Sequence, residues 1–128
     1  MPNTTETYDS RYLEGIRYFN EREYFEAHEV WEDLWKDDTG PARHFYQGLI
    51  QIAVCLYHFG NGNAIGARKL FYSSHRHLDD YPPSYLGLDL KKLLMDLQVC
   101  CAEILASEEK FPKVKIRAEL IPEIHLDH

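Results

Sequence analysis

The chain has 128 residues, 45% of them hydrophobic, and a formal charge of −7. That is enough apolar material for one core and too little chain for two. The composition excludes global disorder, no run approaches the ~20 apolar residues of a membrane helix, and an acidic chain without a basic stripe is poorly suited to a nucleic-acid backbone. The N-terminus lacks a basic, apolar leader pattern, and three cysteines, two of them adjacent at Cys100 and Cys101, make no disulfide framework. The expected setting is soluble and cytoplasmic, with reduced thiols used for packing. The charge is uneven: residues 1–40 carry 11 acids against 4 bases, whereas residues 41–88 carry 2 acids against 4 bases.

Residues 1–9 are polar and are expected to be a flexible N-terminus. Ser10 reads as the cap of a first helix, in which Tyr12, Leu13, Ile16 and Phe19 recur at helical spacing until Asn20. A second helix spans Glu23 to Asp37, with Tyr24, Ala27, His28, Trp31, Leu34 and Trp35 along one face and most of its acids on the others. Asp37 to Pro41 is a turn. A third helix, from about Ala42 to Phe59, is apolar almost all round, the pattern of a buried central helix. Gly60-Asn61-Gly62 stops it, and Asn63 caps a fourth helix over about 64–79, where small Gly66 and Ala67 would admit a close neighbour. Tyr81-Pro82-Pro83-Ser84 breaks the chain, and Asp89 caps a fifth helix to about Ser107. Beyond it Val114, Ile116, Ala118 and Leu120 alternate with charged residues at period two, the signature of an extended arm laid over the bundle or over a neighbouring subunit. The expectation is all-α: five helices around a buried central one, a single domain over residues 10–108, and an extended tail over 109–128.

The third helix carries an anomaly. At 100° per residue, His44, Gln47, Gln51 and His58 fall within about 60° of arc on an otherwise apolar surface. On the second helix His28 and Glu32 share about 100° of arc with Trp31 and Trp35. Folding the pair as an antiparallel hairpin puts His28 opposite Gln51, Glu32 opposite Gln47 and Trp35 opposite His44. The expected result is a polar cluster of His28, Glu32, Gln47 and Gln51 between the two helices.

Two chemistries fit that cluster. His28-Glu29-Val30-Trp31-Glu32 has zincin spacing, with Glu32 where a second histidine would stand. His28 and Glu32 would then ligate a divalent metal, His58 would approach from one side, Glu29 would serve as general base, and Gln47, Gln51 and His44 would line the substrate. Alternatively, the same residues form a hydrogen-bond network that fixes helix register in a non-enzymatic binding or scaffold module. A small-ligand pocket is a third use. A homodimer through an aromatic helix face or the tail is compatible with the pattern. No Glu-x-x-His motif of a di-iron bundle is present.

Phe19-Asn20, the run Tyr24-Phe25-Glu26-Ala27-His28-Glu29-Val30-Trp31-Glu32-Asp33-Leu34-Trp35, the run Phe45-Tyr46-Gln47-Gly48-Leu49-Ile50-Gln51-Ile52-Ala53, His58, Gly62-Asn63 and Gly66-Ala67 together resemble the family called domain of unknown function 309. The resemblance extends from about residue 10 to about residue 100. It implies a small all-helical bundle of bacteria and archaea. It also implies the label of predicted metal-dependent hydrolase often given to such proteins, which would rest here on His28, Glu29, Glu32 and His58.

Overall fold

The computed structural model describes residues 8–127. Most of the expected flexible stretch 1–9 therefore lies outside the described residues. Five helices form: α1 over Ser10–Asn20, α2 over Tyr24–Asp37, α3 over Arg43–Gly60, α4 over Ala64–Leu78 and α5 over Leu90–Ala106. The protein is all-α, as its apolar spacing requires. Asp9, not Ser10, caps α1: its backbone is extended and its carboxylate accepts from the Arg11 amide at 2.8 Å, leaving Ser10 inside the helix. The Asn63 and Asp89 carboxamide and carboxylate cap α4 and α5 as the sequence predicts.

α3 is the hub, packed between α2 and α4. Leu49, Ile52, Ala53, Cys55 and Leu56 are fully enclosed. Close approach sets one contact of the hub, α3 on α4, and the contact of α1 on α2. Gly48 of α3 lies so near Leu78 of α4 that a Cβ would collide with it, and Gly15 of α1 is backed in the same way onto the Trp31 indole of α2. That indole donates from Nε1 to the Tyr12 carbonyl at 3.2 Å, so the largest core side chain is also hydrogen-bonded. α5 carries no basic residue in its last turn. Arg68 of α4 supplies the missing charge from outside, donating from Nε to the Ile104 carbonyl at 2.7 Å and from Nη2 to the Glu109 carbonyl at 2.8 Å.

Two segments differ from expectation. The break after α4 contains a two-residue antiparallel hairpin, β1 (Ser84–Tyr85) paired with β2 (Leu88–Asp89). Its turn residues Leu86 and Gly87 have φ of 48° and 75°, the mirror-image turn that matches strand twist. The tail pairs with no strand among the described residues, and Ala118–Leu120 is one 3-10 turn. Its period-two pattern still has a physical basis. Val114, Ile116 and Leu120 pack against the core, and Pro122 and Ile124 are buried, while Lys113, Lys115 and Arg117 face solvent. The arm is extended and lies on this chain's own bundle, held by side chains rather than by a ladder.

Candidate functional site

α2 carries His28 and Glu32 one turn apart, with His28 on the side that meets α3. Imidazole Nε2 and carboxylate Oε2 lie 3.2 Å apart. The other ring nitrogen, Nδ1, lies 3.3 Å from the Phe25 carbonyl. Both ring nitrogens thus face oxygen acceptors, and a ring carrying two protons donates to both. The second carboxylate oxygen of Glu32 faces Lys36 Nζ at 3.8 Å. The His28 and Glu32 side chains are 26% and 41% exposed, so the pair sits at a lip and not inside a sealed network.

Beside it opens a cleft of about 160 Å³ between α2 and α3, lined by Tyr24, Phe25, His28, Val54, Tyr57 and His58. Phe25 and Tyr57 flank it with ring centroids 6.4 Å apart, 49% and 43% exposed. The Phe25 ring also tilts against His28 at 5.7 Å. The Tyr24 hydroxyl is buried without a partner, and burial pushes that phenol's pKa up to about 12.

His58 enters the cleft wall from α3, but its ring is already held. Asn63 Oδ1 accepts from the Gly66 amide at 2.9 Å, which fixes the Asn63 carboxamide and turns its Nδ2 toward His58 Nδ1 at 3.3 Å. The amide donates, so Nδ1 is an acceptor and, in the neutral ring, the proton is on Nε2.

The remaining polar residues do not gather as a simple antiparallel hairpin of α2 and α3 would bring them. Gln47 and Gln51 are half-buried, Gln51 Oε1 is buried without a partner, and among the described residues His28 to Glu32 is the one polar contact within the expected set of four. His44 is exposed and stacks on His77 of α4, centroids 5.9 Å apart and planes 17° apart. Arg43 takes the place expected for it, with its guanidinium 4.4 Å over the Trp35 ring. Folding two helices in isolation ignores α4, which claims one flank of α3; the cation–π contact settles the other. Glu29 is exposed and outside the cleft lining. Among the described residues no group of three or more His, Cys, Asp or Glu is placed to hold a metal ion. A catalytic zinc centre uses three protein ligands and one open position, and His28 with Glu32 falls short of that set. The residues that reasoning from spacing passed over are Phe25 and Tyr57. Their signal was present: each is a large aromatic lying off the core face of its own helix.

Fold and cleft together define a small helical-bundle protein with an aromatic-flanked cleft between its second and third helices. Residues 12–70, which span most of α1 to the first half of α4, match the family described as Domain of unknown function (DUF309). The chain is also 37% identical, over 100 residues, to a protein of Bacillus subtilis (strain 168) named Uncharacterized protein YpuF; the match takes in 71% of this chain and 55% of that one. The chain therefore spans about half the length of this curated relative. Neither description assigns an activity. No helix among the described residues is long and apolar enough to cross a membrane.

Proposed function

We propose that this protein is a non-enzymatic helical binding module, and that the α2–α3 cleft seats an apolar side chain from a segment of a partner protein. The observation that carries this reading is the exposed Phe25–Tyr57 pair flanking a recess of about 160 Å³. Aromatic area left in water costs about 25 cal/mol per Å², and aromatics around a pocket are the usual anatomy of an energetic hot spot. The recess is smaller than the ~300–1,000 Å³ of a typical small-molecule site and is scaled to a single side chain. The solvent side of α2 is acidic, with Glu26, Glu29 and Asp33. Charge complementarity therefore favours a partner segment whose apolar anchor is flanked by lysine or arginine.

The hydrolase reading has less support. Two donors do not make the ligand set, and Lys36 places a positive charge beside the carboxylate a cation would need. The test is a titration of isotope-labelled protein with short basic peptides, each carrying one central apolar residue. Shift changes are expected at Phe25, His28, Val54 and Tyr57, with affinity at least about tenfold weaker in Tyr57→Ala. No response to any peptide, or a response that Tyr57→Ala leaves intact, overturns the reading.

A further inference from the structure

A second recess lies at the opposite end of α3, away from the aromatic cleft. His44 from the start of α3, Arg76 and His77 from the end of α4, and Asp80 and Tyr81 just after it line a space of about 470 Å³. The recess lies in the basic part of an acidic chain, since residues 41–88 carry 4 bases against 2 acids. Stacking brings the His44 and His77 rings to 5.9 Å, with Arg76 next in sequence to one of them. One guanidinium and two imidazoles therefore share a concave surface. Burial, then the neighbouring His44 and Arg76, hold the His77 pKa below the ordinary histidine value.

A single carboxylate stands against these groups. Asp80 is the one carboxylate in its lining, and no ion pair among the described residues engages Asp80 or Arg76. Tyr81 contributes a wall only: its hydroxyl donates to the Pro41 carbonyl at 2.6 Å and accepts from the Phe45 amide at 3.0 Å.

We propose that this recess binds a phosphate-type oxyanion, held by Arg76 and by the His44–His77 pair. A tetrahedral oxyanion accepts from the guanidinium fork and from imidazole N–H groups, and brings the negative charge that these groups lack. Its arrival favours the protonated rings, so binding takes up protons and tightens as pH falls. Asp80 opposes the ligand. It acts as a filter that weakens adventitious anions and demands good geometry from the one that stays.

Calorimetry on the full chain tests the proposal, with sulfate as the first probe because its charge is constant across the range used. Saturable binding is expected, tighter by roughly tenfold at about pH 5.5 than at about pH 8. Arg76→Gln is expected to weaken sulfate by about tenfold, and Asp80→Asn to strengthen it by roughly threefold. Replacing both histidines by glutamine is expected to flatten the pH dependence. These side chains are at the surface, so melting curves check that each variant is folded. Inorganic phosphate and glycerol phosphate then separate the sources: equal affinity points to the free ion, and tighter glycerol phosphate points to a phosphomonoester. Absence of saturable binding up to about 10 mM at either pH overturns the proposal, as does binding that Arg76→Gln leaves unchanged.

Discussion

Asn20 and Ile124 are joined by two hydrogen bonds of 2.8 Å, the side-chain amide of Asn20 donating to the Ile124 carbonyl and its Oδ1 accepting from the Ile124 amide. A carboxamide at the end of α1 thus does for the tail what a neighbouring strand would do in a sheet. Ile124 is buried beneath this clamp. Asn20→Ala should lower stability by about 1–2 kcal/mol, because it leaves two half-buried backbone groups unpaired. Urea unfolding measures the loss, and amide exchange at Ile124 should accelerate more than exchange in α3. Exchange that is unchanged at Ile124 would show the tail to be held by its apolar contacts alone.

Tyr81 is the equivalent device at the start of α3, where Ala42 offers no side-chain cap. Its hydroxyl bridges Pro41 and Phe45. Tyr81→Phe keeps the ring against Phe45 and Tyr85 and removes the bridge. A loss of about 1–2 kcal/mol is expected by thermal or urea melting, the size of a removed helix cap.

Tyr24 carries a buried hydroxyl with no partner. Tyr24→Phe removes an unpaired polar atom, and stability at neutral pH should stay level or rise by up to about 1 kcal/mol. Burial pushes the Tyr24 and Tyr46 phenols up to about 12, above the ~10 of an unfolded tyrosine. Between those values the folded chain holds more protons than the unfolded one, so stability is intact below about pH 10 and falls as pH rises toward about 12. Tyr24→Phe should make that alkaline decline shallower. An unfolding series from about pH 8 to about pH 11 checks the slope.

The His28–Glu32 pair is half-exposed, and its contribution is scaled accordingly. Glu32→Ala should cost less than about 1 kcal/mol. A loss of ~3 kcal/mol would mean that the pair is coupled to the interior, as a buried network would be.

Helix existence and the central place of α3 were legible because burial writes itself into spacing: Leu49, Ile52, Ala53 and Leu56 recur wherever the helix meets a neighbour. Asn63 and Asp89 were legible as caps because the capping bond is local. Long-range bonds leave no such trace. Tyr81 reaches back 36 residues to Phe45, and Asn20 reaches forward 104 to Ile124. The candidate site was legible as a place and not as a set of contacts. His28 and Glu32 meet because i and i+4 must meet on a helix. The pairing of Trp35 with His44 failed because rotation about α3 is decided by α4, through the His44–His77 stack, and by the Arg43 cation–π contact. Of the tail's alternating set, Val114, Ile116 and Leu120 turn inward, whereas Ala118 is exposed where the 3-10 turn interrupts the alternation; period two reports only an extended chain with one face covered, and the cover here is a helical surface.

The most direct measurement is metal content by mass spectrometry on tag-free protein, wild type and His28→Ala in parallel, before and after incubation with zinc, manganese and iron. If the α2–α3 cleft seats an apolar side chain and His28 with Glu32 only lines its lip, both proteins should carry far less than one equivalent of metal and should not differ. Near-stoichiometric metal in the wild type that is lost in His28→Ala would contradict that assignment and make the pair a metal centre.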